Sequence, residues 1–283
     1  NLSNTHAKAG NLNKSIKYLE FTISKYPRAF KPIRKLANIL FKINRSDKGI
    51  QLLENFCKLN PKEGFAWLEL GVNLCNLQLR EKGLQAFEAG SKALPEHSGL
   101  IANRLTLLKE FNNIKKAEEL YYSLSINQKN NIHIQGAWAG ILMKTESIEQ
   151  AIKILHKLST IEPDKSNHWI NLAACKKAIK YNLDCQKTLK EGLKYNPYDE
   201  DLKQALSQSL SESGNINKAI KLLDIENKDW AKVPDEHIFN TQFIGSASGE
   251  INSEKLRSIA KEWEQKKLKY GLKNIYKDIL RSP

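Results

Sequence analysis

The chain has 283 residues, 41% hydrophobic and 27% charged, with a formal net charge of +14. That apolar share is enough for a continuous core, but no apolar run approaches the ~18–20 residues of a membrane helix, and no signal peptide is visible. Cys57, Cys75, Cys175 and Cys185 form no C-x2-C pair and match no zinc spacing, so packed thiols in a reducing cytoplasm are expected. The charge invites a nucleic-acid reading, yet the lysines are scattered among Glu and Asp, and the basic run Lys266–Lys269 follows Glu262 and Glu264. Acidic peptides or proteins suit such a chain better.

From the N-terminus, Asn1 falls inside a first helix, and Ala9–Ile16 reads as a turn and the start of a second, with Ser15 at a small-residue position. Pro27, Pro61, Pro95, Pro163 and Pro197 follow, spaced by 34 residues or a multiple of 34. The omitted step falls on Lys129, within Asn127–Asn131. Counting from each turn, the third repeat starts at Gly64 and carries Trp67, Leu70, Gly71, Leu74, Gly83, Phe87, Gly90 and Pro95. The sixth starts at Ser166 and carries Trp169, Leu172, Ala173, Cys185, Leu189, Gly192 and Pro197.

This pattern resembles the tetratricopeptide repeat: a large residue at position 4, Leu-Gly at 7 and 8, a small residue at 20 and Pro at 32. The resemblance implies an all-α, right-handed solenoid of about seven helix–turn–helix repeats over 1–227, the first one truncated. A partly helical cap would follow over 228–283, with a helix near 253–272. Each position has a physical reason. Positions 4 and 7 share one helix face, small residues at 8 and 20 let the paired helices approach, and Pro ends the second helix and presets the turn. The second repeat keeps the period through Leu36, Ala37, Leu40, Gly49, Leu53 and Pro61. The fourth places Arg104 where Leu is expected and Lys129 where Pro is expected, and is the predicted irregular point. The fifth returns with Ala139, Leu142, Ala151 and Leu155, and the seventh ends with Leu206, Leu210, Gly214, Ala219 and Leu223.

The same resemblance places ligand contacts at positions 2, 5, 6, 9, 12 and 13 of each first helix. The second repeat then offers a basic set, including Lys31, Arg34, Lys35 and Asn38, and the third an apolar floor interrupted by Glu69. A carboxylate clamp for chaperone tails does not fit, because Glu69 stands where Asn is required and Gly99 and Asn103 stand where cations are. Asn1, Asn103 and Asn171 share position 6, where an amide can bind a peptide backbone without reading its side chains. The implied site is therefore Lys31, Arg34, Lys35, Asn38, Glu69, Asn103 and Asn171, and the implied partner a protein or an extended, acidic or polar peptide.

Asn1-Leu-Ser and Asn171-Leu-Ala resemble the N-L-G/A run of O-GlcNAc transferases. Ile251–Leu256 and Trp263 resemble the junction of bacterial O-GlcNAc transferase-like, SPINDLY-type glycosyltransferases, with Ala260 in place of a frequent His. That likeness implies a substrate-recruiting arm whose catalytic lobes would lie beyond Pro283. A free-standing scaffold is the alternative. The residues show no phosphate loop, no H-E-x-x-H and no paired carboxylates, and Gly245–Gly249 carries Ala247 where a nucleophile elbow needs Ser. No cofactor, no metal and no catalysis are expected of this chain, and its oligomeric state is open.

Overall fold

The computed structural model describes residues 12–223, together with the helical, exposed positions Glu254, Arg257, Ser258, Lys261 and Glu264. The expected division at 227/228, Asn1 and all but those five positions of the expected cap over 228–283 lie outside the described residues. Within residues 12–223 there are fourteen helices and no strand. They fall into two compact units that divide between Glu146 and Ser147. The first holds α1 (Leu12–Lys25), α2 (Phe30–Lys42), α3 (Ser46–Leu59), α4 (Gly64–Asn76), α5 (Arg80–Ala93), α6 (Ser98–Glu110), α7 (Ile114–Ser123), α8 (Ile126–Lys129) and α9 (Ile132–Lys144). The second holds α10 (Ile148–Ile161), α11 (Ser166–Ala178), α12 (Asn182–Tyr195), α13 (Glu200–Glu212) and α14 (Ile216–Leu223).

The helix starts repeat with the sequence period. First helices begin at residues 30, 64, 98, 132, 166 and 200, and second helices at 12, 46, 80, 114, 148, 182 and 216. Apolar residues at helical spacing make the core. Ile33, Leu36, Ala37 and Leu40 form the buried stripe of α2, and Ile134, Trp138, Ala139 and Leu142 form that of α9. In the first unit, Ile33, Leu53, Phe56, Leu70 and Leu74 belong to one cluster. In the second, Trp169, Leu189, Leu202, Leu206 and Leu210 do the same.

Two kinds of turn alternate. Within a repeat, the first helix ends in a residue of positive φ: Asn44, Gln78, Asn112, Glu146, Lys180 and Gly214, each 34 residues from the last. Five of these six carry a side chain in a region that favours glycine. At Asn44, Gln78, Asn112, Lys180 and Gly214 the geometry is a Schellman motif. Arg45 N–H donates to Leu40 O at 2.8 Å and Asn44 N–H to Phe41 O at 3.2 Å, and Leu79→Leu74 and Gln78→Cys75 repeat the pair at 2.9 Å.

Between repeats, a four-residue turn closes with bonds such as Glu63 N–H to Asn60 O and Lys165 N–H to Glu162 O, both 3.0 Å. The periodic prolines occupy its second place, where a fixed φ suits the turn. The fourth repeat lacks that proline and still makes the bond, Asn131 N–H to Gln128 O at 3.0 Å. Its irregularity lies one step earlier. α7 stops at Ser123, Leu124 is extended, and Ser125 opens the one-turn helix α8 through a capping box with Gln128. α9 consequently packs broadly on α6 and only lightly on α7.

The small residues act as expected. A Cβ on Gly71 would collide with the Phe87 ring, and one on Gly83 would lie 2.5 Å from Cys75 Sγ and 3.2 Å from Gly71 O. Without Cβ atoms, α4 and α5 approach closely. Trp67 and Trp169 fill position 4, and each indole N–H donates to a turn proline's carbonyl, Pro61 O at 3.0 Å and Pro163 O at 2.9 Å.

Candidate functional site

In the first unit, α2, α4 and α6 are successive first helices and carry the expected contact positions. Phe65 and Val72 of α4 are exposed although large and apolar. The Phe65 ring meets the His97 ring edge-on at 5.0 Å. His97 is held by capping α6, its Nδ1 accepting from Leu100 N–H at 3.3 Å. A cavity of about 410 Å³ opens beside this apolar strip. Val72, Cys75 and Asn76 of α4 form one wall, and Asn103, Thr106 and Glu110 of α6 the other. Phe87 and Leu107, both buried, close the floor. At the mouth, Arg80 Nε lies 3.4 Å from the Glu110 carboxylate.

The cavity offers amide and hydroxyl groups over an apolar base, with its charges already paired. Asn103 donates one amide proton to Gly99 O at 2.8 Å, so one donor is tied to its own helix. Burial pushes the Cys75 thiol above its ordinary range; Glu110 adds to the rise and Arg80 opposes it. Thiolate chemistry is therefore disfavoured there.

The sequence-derived site residues separate into groups. Lys31, Arg34 and Asn38 are exposed on α2, and Lys35 is half-buried. Arg34 is not a free cation: its Nε lies 3.0 Å from Glu69 Oε2. This pair softens the expected strongly basic end and explains how Glu69 is tolerated among the contact positions. Asn103 reaches the cavity, whereas Lys31, Arg34, Lys35, Asn38 and Glu69 do not line it. Asn171 is half-buried on α11 in the second unit. There a smaller cavity of about 190 Å³ is lined by Ile170, Ala174 and Lys177 of α11, Ala205 and Gln208 of α13, and Cys185 of α12. Lys177 is paired with Glu212 at 2.6 Å.

Thr106 and Glu110 were not named from the sequence, although positions 9 and 13 of the fourth repeat point to them. Gln78 and Arg80 also line the first cavity. They belong to the turn and the second helix, which a first-helix rule does not reach.

The irregular fourth repeat leaves a mark on the electrostatics. Arg104 Nε and Gln135 Oε1 are buried with no hydrogen-bond partner, and burial lowers the Arg104 pKa. Tyr121 stacks flat on Trp138 at 3.8 Å, and burial pushes its hydroxyl pKa up. Cys57 is fully buried and its thiol is pushed up to about 12 by burial, then by Glu54 and Glu63. Cys185 is a packed thiol, its Sγ 3.7 Å from Ser209 Oγ. The four cysteines are unpaired, and among the described residues no three His, Cys, Asp or Glu gather to hold a metal ion. No described helix is long and apolar enough to cross a membrane.

No family model and no curated protein matches the chain. Solved structures do. A tetratricopeptide repeat protein from Parabacteroides merdae aligns over 86% of this chain and 95% of its own, with a TM-score of 0.68 at 13% identity. Cut9, in the APC/C hetero-tetramer Cut9-Hcn1, aligns over 91% of this chain and 48% of its own, with a TM-score of 0.60 at 13% identity. YrrB, described as a tetratricopeptide repeat protein with an unusual peptide-binding site, aligns over 69% and 97%, with a TM-score of 0.50 at 14% identity. At these identities the likeness concerns the fold: the chain has the all-α architecture of tetratricopeptide repeat proteins.

Proposed function

We propose that the chain is a non-catalytic module that binds a protein or an extended peptide through the first helices of its repeats. The observation that carries this is the cavity between α4 and α6, where Asn76, Asn103 and Thr106 surround an apolar base beside exposed Phe65 and Val72. Amides and hydroxyls can meet a peptide backbone, while Phe65 and Val72 offer apolar contact to its side chains. The complex of Cut9 with Hcn1 and the peptide-binding site of YrrB show that proteins of this fold hold such partners. Lys31 and Lys35 would favour acidic or polar sequences at the α2 end. The test is a peptide array followed by crosslinking. Asn103→Ala with Thr106→Ala should weaken the selected peptide by up to about tenfold for each hydrogen bond lost, with helix content unchanged. Crosslinks confined to second helices, or unchanged affinity in both variants, would reject this reading.

A more specific form of the proposal is that the module recruits substrates for an O-GlcNAc transferase-like enzyme. It rests on the likeness of Ile251–Leu256 and Trp263 to that junction and on Asn103 and Asn171 at position 6. Two α/β lobes encoded after codon 283 would support it, and a stop codon there would leave the free-standing scaffold.

A further inference from the structure

α4 is apolar on both faces, and its second face also borders a cavity. This one, about 390 Å³, lies among α3, α4 and α5 and shares no lining residue with the first. Trp67, Leu70 and Leu74 form its floor. On α4 these three residues point roughly 160° away from Val72, Cys75 and Asn76 at 100° per residue. Its space comes from two small side chains on α5, Ala86 and Ala89. At the repeat position of Ala86 the chain elsewhere carries Tyr18, Leu52, Leu120, Ile154, Thr188 and Leu222; at that of Ala89 it carries Phe21, Asn55, Ser123, Lys157, Glu191 and Ile225. The third repeat alone pairs two alanines there.

The rim of this cavity is cationic. Lys58 and Lys82 are exposed and have no carboxylate partner among the described residues, and Glu54 is the single acid at the edge. We propose that this is a second docking site, on the opposite face of α4 from the peptide groove, for an acidic protein segment. That segment inserts an aliphatic or aromatic side chain over Trp67 and Leu74 and sets carboxylates against Lys58 and Lys82. A net charge of +14 draws acidic partners toward the chain and opposes a second copy of it as occupant.

The test uses the full chain and a fluorescein-labelled peptide, Glu-Leu-Leu-Glu-Asp-Leu-Phe-Glu, followed by anisotropy. A control peptide has lysine in place of each acid. Only the acidic peptide should bind, and added salt should weaken it. Ala89→Phe fills the cavity and should abolish binding. Lys58→Glu with Lys82→Glu leaves the core intact; at about two- to fivefold per exposed charge contact, the double reversal should cost roughly tenfold. Neither change touches the α4–α6 cavity, so peptides selected by the array should bind both variants as before. That result separates failure of this site from failure of the groove. No binding of the acidic peptide below about 1 mM, equal binding of the lysine peptide, or full affinity in the charge-reversed variant would overturn the proposal. So would self-association of the chain that Ala89→Phe removes, which would make a second copy the occupant.

Discussion

Replacing Gly71 by alanine adds one methyl group where α4 packs against the Phe87 ring of α5. An ideal Cβ there lies 2.6 Å from Phe87 Cδ1 and 2.9 Å from Phe87 Cζ, against the ~3.5–4.0 Å of an ordinary carbon contact. Phe87 is 1% exposed and packs with Leu100 and Leu107, so the ring has little room to retreat. Overpacking of this kind costs about 1–3 kcal/mol. Alanine returns about 1 kcal/mol of helix propensity, which leaves a net loss near 1 kcal/mol. Gly140, in the middle of α9, is the matched comparison. Its Cβ would meet only the flexible end of Lys109, with Nζ at 3.2 Å and Cδ at 3.5 Å. Gly140→Ala should therefore keep most of the propensity gain, about 0.5–1 kcal/mol. The two variants should differ by about 2 kcal/mol, or about 4–8 °C in Tm for a chain of this size. Thermal melts followed by circular dichroism compare them directly. A Gly71→Ala variant as stable as Gly140→Ala would refute the account of why this repeat carries glycine at that position.

Three further outcomes are expected. Lys180→Gly, which relieves a φ of +65°, should raise the urea midpoint by the equivalent of about 0.5–1 kcal/mol; a lower midpoint would show that the side chain is not strained. Trp67→Phe, which removes the indole donor to Pro61 O, should cost about 0.5–1.5 kcal/mol in urea unfolding. Below pH 9 the Cys57 thiol is protonated whether the chain is folded or not; between about pH 9 and 12 the unfolded chain loses that proton while the folded one keeps it. Stability should fall as pH rises through that window, by at most about 4 kcal/mol. Cys57→Ala should flatten the fall, and iodoacetamide at about pH 8 should label half-buried Cys75 well before Cys57.

The period made the fold legible, because a proline at the second place of a turn and an apolar stripe on a helix are both local signals. The break in the fourth repeat was visible as the missing proline at Lys129. Its form was not anticipated, although Ser125-Ile-Asn-Gln128 carries the capping-box pattern that opens α8. Positive φ was partly written in Gly214, Asn44 and Asn112, residues that tolerate it, and hidden at Glu146 and at Gln78 and Lys180, at the last two of which Schellman bonds hold it. The candidate site was legible only as a face. Position counting reached Val72, Cys75, Asn76 and Asn103. It could not show that Glu69 takes up Arg34, or that Arg80 reaches Glu110, because ion pairs between helices depend on how neighbouring repeats are set against each other.

The recurring left-handed residue also makes the chain divisible. Asn44 and Gln78 have nearly the same φ, 58° and 64°, and the bonds that flank each are the same. Excising residues 45–78 would join Asn44 to Leu79, and the new junction would restore a Schellman turn between a complete first helix and a complete second helix. A cut that is not a whole number of periods would set a left-handed backbone against the wrong carbonyls. Gain or loss of whole periods at these turns therefore offers a route by which such a chain can change length while each surviving helix keeps its register.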